Sequence, residues 1–351
     1  MKLKRLGIDL AKEVFQLHGV DGQERVVLRK RLRRAEFLAY LRDQVEQHCE
    51  IGMEACGGAH HWARQLQAMG FRVKLMAPQF VKPYVKSNKN DARDAEAICE
   101  AMSRPGMRFV RVKSLEQQDI QSVHRVRSEL VAQRTAKANQ IRGLVAECGL
   151  VAPTRLDALR TALPGWLEDA ENGFPIRFRR MLSGLQQDLL QLDERVAELD
   201  REIRLIVESD HRVQRLMTIP GIGPLTATAL VAAVDDGGMF SNGRQLAAWL
   251  GLTPREHSSG GKERLLGMSK RGDSYLRTLL IHGARSVLRM AKYKTDYRSQ
   301  WLNGLAARRH ANVAAVALAN KNARIAWVLL TRQTSYDAAV IATKMPVELV
   351  S

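Results

Sequence analysis

The chain has 351 residues, 45% of them apolar, which is enough to bury at least one core. Lys and Arg number 55 against 37 Asp and Glu, and the net charge of +18 is too large for a typical metabolic enzyme and indicates a polyanionic partner such as nucleic acid. The low aromatic content of 5% argues against RNA-binding modules that stack bases on aromatic side chains. The four cysteines contain no C-x-x-C pair, which argues against a zinc finger or a disulfide framework. No apolar run reaches the roughly 18 residues that a membrane span needs, so we expect a protein of the reducing cytoplasm.

The first ~110 residues have the pattern of an α/β domain. Predicted elements follow in this order: strands at 3–9, 14–20 and 25–30, a helix at 34–47, a strand at 49–55, a helix at 60–69 and a strand at 71–76. Three early strands followed by alternating helix and strand are the order of a ribonuclease-H-like fold. We therefore expect a domain of this class at residues 1–112.

The middle of the chain, residues 113–210, is predicted to hold two long helices. The first is polar and covers about 115–147, whereas prolines break the pattern between 150 and 180. Apolar residues then recur at alternating spacings of three and four, as in a coiled-coil seam of more than three heptads: Leu182, Leu185, Leu189, Leu192, Val196, Leu199, Ile203 and Ile206. The two helices either form an antiparallel hairpin or pack between protomers.

Residues 211–351 are predicted to form a mostly helical C-terminal domain. Its Ala-rich helices lie near 274–290 and 310–331. The segment Ile-Pro-Gly-Ile-Gly-Pro at 219–224, followed by small residues, predicts a helix-hairpin-helix in which Gly221 and Gly223 let the backbone approach a phosphate. Such a hairpin binds duplex backbones without reading sequence. The alternative is a tight helical turn with a packing role.

Four acidic residues could form a metal site. Asp9 and Glu54 end two predicted strands that lie side by side in the expected sheet, and Asp91 and Asp94 lie three residues apart on one face of a helix that would cross them. Clustered carboxylates repel one another, and Mg²⁺ or Mn²⁺ cancels that cost and assists phosphoryl transfer. The alternative is that each acid caps a helix or is solvated; Asp91, at a predicted helix start, is a good N-cap.

A Gly- and Ser-rich loop at 253–262 contains two adjacent serines, Ser258 and Ser259. A serine beside glycines has a free hydroxyl that can act as a nucleophile, and residue chemistry does not separate the two. Neighbouring cations could hold a phosphodiester and stabilise a developing oxyanion. They are Arg255, Lys262, Arg264, Lys270 and Arg271. The alternative is a flexible loop without a chemical role.

The long polar helix carries basic side chains that could follow a nucleic-acid backbone. They are Arg125, Arg127, Arg134, Lys137 and Arg142. The alternative is that they form a solvated face or pair with the acid-rich segment 188–208.

Seven motifs taken together resemble the insertion sequence 110 family of DEDD transposases, and within it the subgroup of insertion sequence 1111. They extend over nearly the whole chain and read GIDLAK, GMEA, KNDARDA, IPGIGPLTA, LAAWLGLTPR, HSSGGK and KRGDSYLR. The resemblance implies a ribonuclease-H-like metal domain, a coiled-coil linker and a C-terminal transposase domain with a nucleophilic serine. It also implies that Asp9, Glu54, Asp91 and Asp94 are the metal ligands, and its pattern of a serine before a small residue and Gly places the nucleophile on Ser259 better than on Ser258.

The same resemblance implies the partners. Members of the family are recombinases guided by a structured non-coding RNA that pairs with donor and target DNA. They act as homodimers that join into homotetramers with shared active sites, which we expect in the bacterial cytoplasm, at the nucleoid. A guide RNA agrees with a strong positive charge and few aromatic residues, since base pairing then reads the sequence and the protein reads the backbone.

The sequence therefore predicts an insertion-sequence transposase in which Ser259 attacks a DNA phosphodiester with the help of Mg²⁺. Two alternatives remain. One is a metal-dependent junction endonuclease that uses water as the nucleophile. The other is a non-catalytic nucleic-acid-binding scaffold.

Overall fold

The computed structural model describes residues 2–86 and 91–338, which belong to two compact units, Met1–Leu115 and Glu116–Ser351. The first unit is mixed α/β and the second is mainly helical. Each unit buries apolar residues of its own. The predicted further boundary near residue 210 stays a prediction.

The first unit contains, within its described residues, a six-stranded mixed sheet. Its strands are β1 (Arg5–Leu10), β2 (Val14–Val20), β3 (Val26–Arg33), β4 (Glu50–Glu54), β5 (Arg72–Met76) and β6 (Phe109–Val110). The order in the sheet is β3-β2-β1-β4-β5-β6, with β1, β4 and β5 parallel and the others antiparallel to their neighbours. This topology is consistent with a ribonuclease-H-like fold. Strand β6, which has only two residues, was not predicted from the sequence.

Helices cover both faces of this sheet. They are α1 (Phe37–Gln44), α2 (Ala59–Ala68), α3 (Pro78–Val81) and α4 (Asp91–Ala101). Successive residues of a strand point to opposite faces, so Leu6 and Ile8 enter the core shared with α1 and α2, whereas Gly7 faces α4. A Cβ at Gly7 would lie 2.3 Å from the carbonyl oxygen of Ala95, so only glycine lets α4 approach β1 this closely.

The second unit begins with α5 (Leu115–Ala146), α6 (Leu156–Glu168) and α7 (Ile176–Ser209). Three ion pairs join α5 to α7: Arg127 to Asp200 at 2.6 Å, Arg134 to Asp193 at 3.2 Å and Lys137 to Asp188 at 2.9 Å. The residue number rises along α5 as it falls along α7, so the two helices are antiparallel within one chain. Of the two arrangements that the sequence left open, the structure has the antiparallel hairpin.

The heptad pattern of α7 divides into two rows. Leu182, Leu189, Val196 and Ile203 are buried, whereas the other row is only half-buried. The half-buried row consists of Leu185, Leu192, Leu199 and Ile206. Supercoiling of these helices stays a prediction.

Helix α6 corrects the expectation that prolines break the pattern between 150 and 180. Pro164 lies inside this helix. Leu159 and Leu163 are fully buried in one cluster with Leu182 of α7. Burial of this apolar face outweighs the helix hydrogen bond that proline cannot donate.

The rest of the second unit is helical apart from one hairpin. It comprises α8 (His211–Met217), α9 (Pro224–Val234), α10 (Gly243–Trp249), β7 (Pro254–Glu256), β8 (Leu265–Met268), α11 (Ser274–Ala291), α12 (Tyr297–Arg308) and α13 (Ala311–Arg332). Helix α13 is long and apolar enough to cross a membrane by length and composition. The sequence did not predict such a segment, because Lys321 and Arg324 interrupt the apolar run. Its most apolar window is 56% buried, as in a core helix.

One buried histidine connects α5 to two helices of the same unit. His124 Nδ1 lies 2.9 Å from the Tyr275 hydroxyl, and Nε2 lies 2.9 Å from Thr228 Oγ1. The Thr228 hydroxyl donates to the carbonyl of Pro224 at 2.7 Å, so it accepts from His124 Nε2–H, and Nδ1 accepts from Tyr275. Burial lowers the pKa of His124 to about 4, and this side chain is neutral at pH 7.

Candidate active site

Two of the four predicted metal ligands lie at neighbouring strand ends. Strand β1 runs parallel to β4, with Ile8 opposite Met53, so Asp9 and Glu54 are the next residues of the two strands. Both follow glycines by two positions, and these glycines, Gly7 and Gly52, face α4. The carboxylates of Asp9 and Glu54 therefore point to the α4 face of the sheet.

Cys56, which was not among the predicted site residues, lies within the electrostatic influence of both carboxylates. Burial raises the pKa of the Cys56 thiol, and the negative charges of Glu54 and Asp9 raise it further. Two acids act on one point just beyond the end of β4, which agrees with their placement on one face. The position of Cys56 two residues after Glu54 was the available signal in the sequence.

Helix α4 carries the other two predicted ligands. It begins at Asp91, whose side chain lies outside the described part of the chain, and Asp94 is half-buried. Ala95, the residue after Asp94, contacts Gly7. Within the described residues, no three His, Cys, Asp or Glu side chains lie close enough together to hold a metal ion. Convergence of all four acids therefore stays a prediction.

The two serines lie in the turn of the β7–β8 hairpin, and the structure distinguishes them. Ser258 Oγ accepts a hydrogen bond from the backbone N–H of Arg264 at 3.2 Å. Ser259 is exposed, and within the described residues its hydroxyl has no hydrogen-bond partner. Its backbone pairs with Lys262 across Gly260 and Gly261, whose φ angles of 57° and 76° are the left-handed values of a type I′ turn. The turn thus holds Ser259 at an exposed position with a free hydroxyl.

The predicted cations surround this hairpin as exposed side chains, and within the described residues none has an ion-pair partner. They are Arg255, Lys262, Arg264, Lys270 and Arg271. The backbone of the last two packs against Gly251: a Cβ there would lie 2.0 Å from the carbonyl oxygen of Arg271, and the Lys270 N–H donates to the Gly251 carbonyl at 3.3 Å. Unpaired exposed cations are what contact with a phosphate backbone requires.

The glycines of the turn between α8 and α9 differ in their surroundings. Gly221, with φ of 93°, packs against Gly283 of α11: a Cβ at Gly283 would lie 1.8 Å from the Gly221 carbonyl oxygen. A Cβ at Gly223, just before α9, would meet nothing within 4 Å. The packing alternative therefore describes Gly221, whereas the backbone at Gly223 is open to a ligand. DNA binding by this turn stays a prediction.

The basic side chains of α5 have mostly found partners in the chain itself. Arg127, Arg134 and Lys137 form the ion pairs with α7, and Arg142 donates to the carbonyls of Pro153 and Thr154. The alternative of pairing with the acid-rich segment is thus what the structure shows for three of them. Arg125 is exposed and, within the described residues, has no partner.

Comparison with known proteins gives matches along most of the chain. Residues 213–299 match the model of the transposase IS116/IS110/IS902 family, and residues 6–149 match a second transposase model, that of the IS110 DEDD domain. The chain is 56% identical over 337 residues to a probable family 20 transposase of Pseudomonas aeruginosa, covering 96% of this chain and 99% of the relative. It is 48% identical over 334 residues to the transposase for insertion sequence element IS1111A of Coxiella burnetii, covering 95% and 91%. Identity to the transposase for insertion sequence element IS1328 of Yersinia enterocolitica is 41% over 334 residues, covering 95% and 98%.

Proposed function

The chain belongs to the IS110 family of insertion-sequence transposases, and we propose that it cleaves and rejoins DNA through the hydroxyl of Ser259. The observation that carries this proposal is the free hydroxyl of Ser259 in a turn surrounded by exposed, unpaired cations. Ser258 is the poorer nucleophile because its oxygen accepts a backbone hydrogen bond.

The residues of the hairpin account for the reaction as follows. Ser259 Oγ attacks the phosphorus of a DNA phosphodiester, its proton passes to water, and an O–P bond forms as the bond from phosphorus to a sugar oxygen breaks. That oxygen takes up a proton and leaves as a hydroxyl. Attack of a sugar hydroxyl on the phosphoserine reverses these changes and rejoins the DNA. The cations Arg255, Lys262 and Arg264 hold the phosphate and offset its developing charge.

Asp9, Glu54, Asp91 and Asp94 are the residues that would hold a divalent ion. Their oxygens are the hard ligands that Mg²⁺ and Mn²⁺ prefer, and the shared face of Asp9 and Glu54 supports this assignment. When bound, such an ion polarises a phosphate and stabilises a leaving oxygen.

The partners of the reaction are donor DNA, target DNA and a structured guide RNA, which Arg125 of α5 is free to contact. The ion-paired cations of α5 are less suited to this role, since each would first have to leave its carboxylate. Homodimers that join into tetramers would let one protomer's serine act with another's carboxylates. We place this activity in the bacterial cytoplasm, at the nucleoid.

Substitution of the two serines tests the nucleophile. In a plasmid excision assay, Ser259→Ala should abolish strand cleavage, and Ser258→Ala should retain it because Ser258 only supports the hairpin. Denaturation of the reaction products should trap a covalent protein–DNA adduct in the Ser258→Ala variant and none in Ser259→Ala. Full activity of Ser259→Ala would remove the assignment. Cleavage without any adduct would favour the endonuclease in which water attacks.

A further inference from the structure

The edge strand β3 carries a row of arginines that no part of the proposed reaction uses. Strand β3 lies at one edge of the sheet and, among the described residues, pairs with β2 alone. Arg29, Arg31 and Arg33 alternate along it, so they share one face at spacings of about 7 Å. All three side chains are exposed, and within the described part of the chain none of them has an ion-pair partner; the backbone N–H of Arg33 donates to the Glu36 carboxylate at 3.3 Å. We call these residues the β3 arginine row.

The register of the sheet aligns this row with the acids. Asp9 of β1 lies opposite Gln16 of β2, and Gln16 lies opposite Arg31 of β3. Residues opposite each other in neighbouring strands point to the same face. Because neighbouring strands are about 4.8 Å apart, the Cα atoms of Arg31 and Asp9 lie about 10 Å apart. Glu54 continues the same line on β4.

A groove lies at the Arg31 end of this line. It has a volume of about 350 Å³ and runs between β3 and the first turns of α4, the helix that carries Asp94. Its polar lining consists of Gln16, His18, Arg29, Lys30, Arg31, Arg93 and Glu96. Glu96 is its one acid among the described residues, and Lys86 Nζ lies 3.2 Å from that carboxylate. The groove therefore keeps an excess of positive charge.

The opposite face of β3 has a different character. Leu28 and Leu32 are buried in the core, and Lys30 lies over the ring of Tyr40, 4.3 Å from its centroid. Among the described residues, the three arginines of β3 without an ion-pair partner thus lie on the face that the acids share, whereas Lys30 borders the groove from the other face. A basic edge strand also protects a sheet against edge-to-edge pairing, and this simpler role has to be separated by experiment.

We propose that the β3 arginine row binds the phosphodiester backbone of DNA and directs a DNA strand across this face of the sheet toward Asp9 and Glu54. This inference rests on the proposed function, since it takes the acids as the place where DNA is processed. DNA is chosen over RNA because the Cα atom of Arg31 lies about 10 Å from that of Asp9, a predicted metal ligand at which the strand to be cut must arrive.

Direct binding tests the inference without requiring catalysis. The full chain, the triple variant R29Q/R31Q/R33Q and a control triple variant R25Q/R42Q/R104Q are compared. The control removes three arginines of the same unit, so the net charge of the two triple variants is the same. These control arginines are already ion-paired, with Asp21, Asp43 and Glu100. Fluorescence anisotropy measures affinity for a labelled DNA duplex of about 30 base pairs, its single strand and RNA of the same sequence, from about 50 to 300 mM salt.

The row variant should bind DNA at least about tenfold more weakly at about 100 mM salt, and the slope of log K against log salt should become shallower by about two to three, since each phosphate contact contributes about 0.7–0.9. The control variant should keep the affinity and slope of the unchanged protein. Equal DNA binding by the two triple variants would overturn the proposal, as would loss of RNA binding alone. Unchanged DNA binding together with self-association in light scattering would assign the row to edge protection instead.

Two further variants separate this inference from the proposed function. Ser259→Ala should bind DNA with unchanged affinity. If this variant loses cleavage and keeps binding, the result tests the nucleophile and leaves the inference about the β3 arginine row unaffected. Should the triple variant fail to fold, Arg31→Gln by itself, at an exposed side chain, should reduce the salt slope by about one. An unchanged slope in a folded Arg31→Gln protein would contradict the proposal.

Discussion

Acidification should destabilise the second unit through His124 of α5. Both ring nitrogens are engaged when the imidazole is neutral, Nε2 with Thr228 and Nδ1 with Tyr275. A second proton would place a charge in the core and convert Nδ1 from an acceptor into a donor that faces a hydroxyl. The positive charge of Arg127 adds to the effect of burial on this pKa.

The size of the effect follows from the pKa. His124 has a pKa of about 4 in the folded chain, against about 6.5 in an unfolded one. The unfolded chain therefore binds more protons between these values, so stability is present above pH 6.5 and is lost as the pH falls toward 4. The full difference is about 3.4 kcal/mol, of which about 2.4 kcal/mol is lost between pH 7 and pH 4.5.

Urea denaturation followed by circular dichroism at several pH values measures this loss. His124→Gln cannot titrate, so its free energy of unfolding should fall by about 2 kcal/mol less than that of the unchanged protein between pH 7 and pH 4.5. The carboxylates titrate in both proteins, so their contributions to the free energy of unfolding cancel in the comparison. His282→Gln, at an exposed histidine of α11, is the matched control and should behave like the unchanged protein. Parallel curves for the unchanged protein and His124→Gln would refute the reasoning.

Two other predictions concern packing and metal. Gly283→Ala should lower the free energy of unfolding by about 2 kcal/mol, because its Cβ would lie 1.8 Å from the Gly221 carbonyl oxygen. The control Gly304→Ala, in open space on α12, should leave the free energy of unfolding unchanged or raise it by up to about 1 kcal/mol. Equal melting curves for the two variants would contradict the close approach. Chelation of divalent ions, or Asp9→Asn, should abolish strand cleavage and leave DNA affinity unchanged, and cleavage that survives both would argue against a metal at the acids.

Local pattern predicted most of the elements. Strand β2 has the predicted bounds, and α5 and α11 lie within a residue or two of theirs, because apolar periodicity and turn residues act within a few positions of the chain. Helix α6 was missed because the signal of Pro164 is local, whereas the burial that outweighs it involves α7. β6 was missed because its two residues are too few for any pattern.

Candidate site residues could likewise be chosen from the sequence by residue type, but their hydrogen bonds and ion pairs could not be predicted. Ser258 and Ser259 are equal in chemistry, and only the hairpin, which brings Arg264 opposite Ser258, separates them. The cations of α5 were a plausible nucleic-acid surface until α7 supplied their carboxylates. Cys56 was not predicted as a site residue, because the two carboxylates that act on it, Glu54 and Asp9, belong to two different strands.

The sequence by itself determined the charge, the order of most strands and helices, and which acids and serines are candidates, since these depend on composition and on neighbours along the chain. The tertiary structure decided which cations are paired, which serine hydroxyl is free, and that Arg31 lies in line with Asp9. The reason is that each of these depends on contacts between residues far apart in the chain, and the register of a sheet or the pairing of two helices is set by the packing of whole faces.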